Sequence, residues 1–506
     1  MSLAPMLKRS PKMNKVSQAL LEILNEKYCR KNFIVPIYED KKKIILYSAN
    51  DDELLNYNIK ELTEKDIEFI KKSKDIIIKE IESLFEKKLD DKILDQIKNL
   101  YSEDIGIDDL EDESKDSPVA KVLNYILNFS IEKDASDIHI ENLEDSVLVR
   151  VRIDGSLHEL SKFPKNLYPY LITRIKAMAK LDIAEKRLPQ DGRFSFNFRG
   201  RNIDIRVATS PTAYGEKIVF RILDVGRVDY SPEGIGLSGE NLKKILKVIS
   251  QPQGLVLISG PTSSGKTSTL YTILKYIQNS QINIMTIENP IEYKIAGINQ
   301  IEVNENTGLS FERGLKSILR MDPDKIMIGE IRNKETAHIA ISASISGHTV
   351  FSTIHTENSP AVVGRLIDMG IEPYLVSAGL IGVISQRLIR KLCPHCKEKE
   401  ISNNPFFKGK EIYKKRGCPK CNGGYKGRIA VFEIMIVDET LKEMISEKKS
   451  IVKIKNYAIS QGMKTLASEI LSLVENGQTS MEEYYRNINT IGEIWILPIK
   501  SFMGKK

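Results

Sequence analysis

The chain has 506 residues, 41% of them hydrophobic and 28% charged, with a net charge of +7. That length allows about three domains, and no apolar run approaches the roughly 18 residues of a membrane span. The charge is too mild to demand a nucleic-acid or membrane partner, and five cysteines are too few for a disulfide scaffold.

The start, "MSLAPMLKRSPKMNKVSQALLEILNEKY", is basic and then amphipathic. It lacks the apolar block of a signal peptide, which predicts a cytoplasmic protein. "FIVPIYEDKKKIILYSAN" predicts two strands and "EKDIEFIKKSKDIIIKEIESLFEKK" predicts helices, together a first domain over residues 1–101. Residues 102–118 hold eight acids against one lysine and no apolar period, the composition of a solvated linker. From 119 to 230 the pattern alternates, with hairpin turns at Asp154-Gly155 and Arg199-Gly200. "LYPYLITRIKAMAKLDIAEKR" has a helical period, so this stretch predicts a small α+β domain.

From 231 to 435 strands and helices alternate, which predicts an α/β domain: a parallel sheet with helices on both faces. Within it, the oily run Gly254 to Ser259 leads into G-x-x-x-x-G-K-[ST] at Gly260–Thr267, a phosphate-binding loop. The nucleotide-binding set is Gly260, Pro261, Thr262, Ser263, Ser264, Gly265, Lys266, Thr267 and Ser268. Inward N–H groups of such a loop cradle an anion, and the helix from about Lys266 adds its positive end. Lys266 would reach the β/γ-phosphates of a nucleoside triphosphate, and Thr267 would ligate Mg²⁺.

Strand tips at one edge of an open sheet converge on the ligand crevice. Glu330 ends the apolar run "KIMIGEI" and is the first choice to hold Mg²⁺ through water or to orient the attacking water. Glu288 and Glu292 follow "NIMTI" toward the same edge; the alternative for each is a loop cap. His348 and His355 flank "TVFSTI". His355, at the C-terminal end, is placed to contact a γ-phosphate, and His348 is expected at the opposite end.

"CPHC" and "CPKC" put Cys393, Cys396, Cys418 and Cys421 in two pairs 21 residues apart. That gap is just beyond the usual spacing of about 15–20. Four thiolates at such spacing suit one structural Zn²⁺, with a redox pair as the rival. Residues 436–490 read as a helical cap. The tail, 491–506, carries the single tryptophan, Trp495, and has no assigned role.

These blocks resemble the secretion ATPases that power type II secretion and type IV pilus assembly. A Walker A loop at Gly260–Thr267, an Asp box at Thr286–Tyr293, a Walker B at Ile326–Arg332 and a His box at Gly347–Thr356 stand in that family's order. "DASDIHIE", "DIAEKRLPQDGR", "RGLKSILRMDPD" and "LIDMGIEP" match as well. The resemblance implies a RecA-like motor preceded by a small PAS-like α+β domain and an N-terminal adaptor, with the tetracysteine zinc insert at 393–421. It implies ATP hydrolysis by a homohexamer acting on an inner-membrane platform protein, at the cytoplasmic face of that membrane. It also implies that Arg193, Arg206 and Arg221 approach the phosphates from the small domain, as arginine fingers do; a salt-bridged strand face is the alternative for each. The expected function is pilus extension, with a type II secretion pseudopilus or DNA-uptake pilus next, then a non-hydrolysing scaffold. No nucleic acid is expected as a partner. The chain departs from the family pattern at Ser263, where Gly is usual, and at Asn289 and Asn333, where Asp is frequent.

Overall fold

The computed structural model describes residues 16–81 with short gaps, 117–223 and 230–488. The acidic stretch up to residue 116, Trp495 and the tail after 488 lie outside the described residues.

The first unit runs α1 (Gln18–Ile23), α2 (Glu26–Asn32), β1 (Ile34–Glu39), β2 (Lys43–Ser48), α3 (Glu53–Thr63) and β3 (Asp66–Lys71). β1 and β2 are antiparallel and β3 joins β2 in parallel. The last strand corrects the helical expectation for "EKDIEFIKK". Ile67 and Phe69 alternate onto the core of Leu20, Ile44, Leu46 and Ile59, a period of two that wins once β2 offers an unpaired edge.

The second unit has α4 (Pro118–Glu132), β4 (Ala135–Asn142), β5 (Ser146–Ile153), β6 (Ser156–Pro164), α5 (Tyr168–Ala179), β7 (Gln190–Phe198), β8 (Arg201–Thr212) and β9 (Gly215–Leu223). They form an antiparallel sheet in the order β6-β5-β4-β9-β8-β7. Both predicted turns have positive φ at their two central residues: 49° and 80° at Asp154-Gly155, 50° and 83° at Arg199-Gly200. That geometry matches the twist of the flanking strands. Alternate apolar residues, among them Ile138, Val149, Ile205 and Phe220, meet the two helices in one core. The other face is charged. Register sets Arg193, Arg206, Arg221, Asp137 and Arg152 side by side across five strands.

The third unit begins with α6 (Gly239–Ile249), β10 (Gly254–Ser259), α7 (Lys266–Ile277), β11 (Ile284–Glu288), β12 (Asn299–Glu302), α8 (Phe311–Ile318) and β13 (Lys325–Ile328). It continues with α9 (Lys334–Ile345), β14 (Thr349–Ile354), α10 (Ser359–Asp368), α11 (Pro373–Gly379) and β15 (Leu380–Leu392). A two-stranded arm, β16 (Glu398–Ile401) and β17 (Glu411–Lys414), leads back to β18 (Tyr425–Ile436). Four helices close the chain: α12 (Glu439–Ser446), α13 (Ile451–Ser460), α14 (Leu466–Glu475) and α15 (Met481–Ile488).

The main sheet has the order β12-β11-β13-β14-β10-β15-β18. Six strands are parallel, as expected; β18 is antiparallel to β15, so the sheet is mixed at that edge. The return is antiparallel because the arm between the two strands supplies no helical crossover, which a parallel return requires. Helices cover both faces: α8 to α13 pack on one, α6 and α7 on the other. α14 and α15 instead pack against Ile389 and Val431 beside the arm.

One buried ion pair fixes the second unit. Lys176 of α5 and Glu216 of β9 are 1% and 4% exposed and 2.8 Å apart, and Lys176 also donates to the Glu185 carbonyl. Removing one partner strands the other charge in a dry core. Glu216→Ala is therefore expected to destabilise the fold by about 3–5 kcal/mol. Lys176→Met combined with Glu216→Leu is expected to recover most of that loss, as read by urea unfolding.

Candidate active site and cysteine centre

β10 is enclosed on both faces, and its apolar residues stop at Ser259. The chain then bends through Gly260, at φ +150°, where a Cβ would lie 2.5 Å from Ser264 Oγ and 2.7 Å from the Gln386 carbonyl. Gly265 caps α7 at φ +89°, with the Gln386 amide 2.8 Å from where its Cβ would be. Only glycine fits either place. Ser263 sits at φ +64°, the left-handed region that costs an L-residue roughly 1–2 kcal/mol. That conformation is the physical reason a glycine is usual there.

The Lys266 ammonium donates to the carbonyls of Gly260 and Pro261 at 2.8 and 2.9 Å. Burial, reinforced by Arg387, pulls its pKa down to about 8, against the opposing pull of Glu330. A buried cation short of counter-charge is a receptor for an anion. Thr267 and Ser268 follow in the first turn of α7, half-buried.

Glu330 lies just past β13, half-buried, and pairs with Arg332 at 2.5 Å. His355 lies just past β14. Its pKa is lowered by burial first and then by Lys266, with Glu330 and the Gly260 backbone opposing. The structure thus brings Lys266, Glu330 and His355 together at one sheet edge. His348 lies at the other end of β14, where its Nδ1 is 3.1 Å from the Ala343 carbonyl.

Glu288 and Glu292 part company. Glu288 is buried and accepts hydrogen bonds from Tyr271, from Thr286 Oγ1 at 2.7 Å and from Gln300 Nε2 at 3.0 Å. It ties β11 to α7. Glu292 faces the small unit instead, pairing with Arg206 at 3.0 Å, and Arg206 also donates to the Ile291 carbonyl at 3.0 Å. Arg221 pairs with Asp137 at 3.2 Å, and Arg193 is exposed next to Arg206 in register. The arginine row is therefore partly a salt-bridged strand face and partly a contact with the Asp-box loop. Thr267 and Glu330 carry the kind of hard oxygen donor that an Mg²⁺ ion would take.

Sequence reasoning missed Gln386, which packs on both loop glycines and accepts from Thr269 Oγ1 at 2.7 Å. It also missed buried Arg387, whose pKa burial lowers to about 10. Their signal was polarity inside the apolar run "LIGVISQRLIRKL".

The four predicted cysteines converge. Their sulfurs lie within 4.8 Å of one another, with Cys393–Cys418 at 3.8 Å, Cys396–Cys421 at 3.7 Å and Cys418–Cys421 at 3.6 Å. Tetrahedral Zn²⁺ with bonds of about 2.3 Å puts sulfurs about 3.8 Å apart, whereas a disulfide needs about 2.05 Å. The set fits one zinc ion and no disulfide. Gly424, at φ +92°, passes so close to Lys415 that a Cβ would lie 2.5 Å from its side chain.

A RecA-like sheet with a phosphate-binding bend after an inner strand, an acid two strand tips away and a charged small unit alongside defines a P-loop ATPase fold class. The chain belongs to the type II/IV secretion system protein family, whose model matches residues 112–486. It is 43% identical over 388 residues to the type II secretion system ATPase E of Vibrio cholerae, covering 75% of this chain and 77% of that one. It is 37% identical over 492 residues to the type IV pilus assembly ATPase PilB of Myxococcus xanthus, covering 93% and 87%. Among solved structures, the pilus retraction motor PilT with bound ADP matches at a TM-score of 0.50 and 26% identity, over 72% of this chain and 96% of that one. Among the described residues, no helix is long and apolar enough to cross a membrane.

The purified chain is expected to carry about one zinc per chain by elemental analysis. Cys421→Ser is expected to lose it and to lower the melting temperature, because metal and fold are coupled.

Proposed function

We propose that the chain is the ATP-hydrolysing motor of type IV pilus assembly, working as a homohexamer on an inner-membrane platform protein at the membrane's cytoplasmic face. The observation that carries the hydrolytic reading is the convergence of Lys266, Glu330 and His355 beside the Gly260–Thr267 bend. In this reading the loop amides and Lys266 hold the β- and γ-phosphates, and Thr267 holds Mg²⁺. The ion, when bound, neutralises charge between the phosphates. Glu330 orients the attacking water, His355 faces the γ-phosphate, and Arg193, Arg206 and Arg221 carry the small unit's movement to the site. Glu288 acts at one remove, by holding the Asp-box loop through Tyr271. Residues 1–101 would serve as adaptor, 102–118 as linker, 119–230 as moving lobe and 231–435 as motor, with 436–490 as its cap.

Pilus assembly is favoured over secretion because the likeness to the pilus assembly relative extends over 93% of the chain, enough to reach into its N-terminal unit, against 75% for the secretion relative. The higher identity to the secretion ATPase supports a pseudopilus as the second reading.

Lys266→Ala is expected to abolish nucleotide binding. Glu330→Gln is expected to keep binding while phosphate release falls by about 10²–10⁴-fold. Retention of release by Glu330→Gln would sink the hydrolytic assignment. Turnover per chain is expected to rise with protein concentration, since the proposed hexamer assembles the working site; a flat profile would remove that part.

A further inference from the structure

Strands enclosed on both faces are normally apolar, yet β15 and β18 bury Ser385, Gln386, Arg387 and Glu433. Glu433 is 1% exposed. The backbone N–H of Ser359, first residue of α10, donates to its Oε1 at 2.7 Å. The backbone N–H of Leu466, first residue of α14, donates to its Oε2 at 3.2 Å. Helix starts leave such N–H groups without an intrahelical partner and favour a nearby anion. One carboxylate here serves two helices that are far apart in sequence.

The contacts continue inward. The Ser359 hydroxyl lies 2.8 Å from the Glu433 carbonyl and 2.9 Å from Ser385 Oγ. Ser385 in turn is hydrogen-bonded to Ser259, the residue before Gly260. From the other flank, Arg387 Nη2 donates to the Glu357 carbonyl at 2.7 Å. The short segment between His355 and Ser359 is thus pinned on both sides, and its far anchor also holds α14. Val474 of α14 packs on Phe407 and Ile412 of the arm beside the cysteine centre.

We propose that Glu433 is a positioning residue of the hydrolytic centre. It holds the His355–Ser359 segment against the phosphate-binding bend and ties both to the start of α14. The inference rests on the reading of His355 given above. Glu433 does not touch the reacting atoms; it stands two strands from β10 in the sheet order. Glutamine in its place presents an NH₂ group toward one of the two donors, so one helix start loses its acceptor without loss of volume.

The test uses the full chain. Glu433→Gln is expected to lower kcat for ATP by about 10- to 100-fold, as small displacements from remote changes do, with KM changed by less than about twofold. In a His355→Ala background the same change is expected to do almost nothing further, because its effect passes through that segment. Hydrogen–deuterium exchange over residues 355–361 is expected to quicken in Glu433→Gln. Ser359→Ala, which removes the bridge to Ser385 and leaves Glu433 in place, is expected to lower kcat in the same direction. An equal loss in both backgrounds, or unchanged exchange over 355–361, overturns the proposal. If the native chain releases no phosphate, the reading of the site fails, and the exchange comparison still decides for or against Glu433.

Discussion

The rest of the structure depends on a steric constraint: the bend after β10 has no room for a side chain at Gly260 or Gly265. Gln386 on the neighbouring strand closes on Gly260 with its carbonyl and on Gly265 with its amide. That closeness leaves glycine at both ends of the turn and delivers the chain directly to the start of α7, the positive end of a helix. Lys266, the first residue of α7, is buried beside the bend, and that burial lowers its pKa to about 8. A cation in that condition gains from an incoming polyanion, which restores the charge state that burial disfavours. Everything near the bend, from Glu330 on one strand tip to His355 on the next, acquires meaning from that unmet charge.

The same arithmetic governs the small unit. Three arginines in a row across adjacent strands repel one another, since like charges directly opposite destabilise a sheet. Asp137 relieves Arg221, and Glu292 and the Ile291 carbonyl relieve Arg206. The second relief comes from another unit of the chain. The Asp154 hairpin adds a second link there, accepting from the Gly427 N–H at 2.9 Å. A salt-bridged face and a face that engages a phosphate site are therefore compatible roles. Arginines partnered across a boundary exchange partners at modest cost, because half-exposed pairs are worth little.

Legibility followed locality. The hairpins at Asp154-Gly155 and Arg199-Gly200 were readable because a two-residue turn states its own dihedral needs. The loop at Gly260–Thr267 and the cysteine pairs were readable because their chemistry is written in consecutive residues. β3 was misread because "DIEFIK" satisfies a helix as well as a strand until β2 presents an edge. The antiparallel β18 escaped notice because direction is a property of a pairing, and no residue of "YKGRIAVFEIMI" specifies its neighbour. Glu288 was placed at the correct strand end, but its enclosure by Tyr271, Thr286 and Gln300 is a matter of three separate elements.

By itself the sequence determined which side chains bring chemistry: the lysine and threonine of the bend, the acids and histidines at strand tips, the four thiols, the three arginines. Such residues sit in short motifs whose backbone demands are local, so their identity and spacing carry the information. Only the tertiary structure decided which of them meet. It joined Glu330 and His355 to Lys266, turned Glu292 toward Arg206, and drew Gln386, Arg387 and Glu433 from unremarked apolar runs to the back of the site. A buried polar group must find its partner wherever packing leaves one, and that partner is chosen by the fold as a whole.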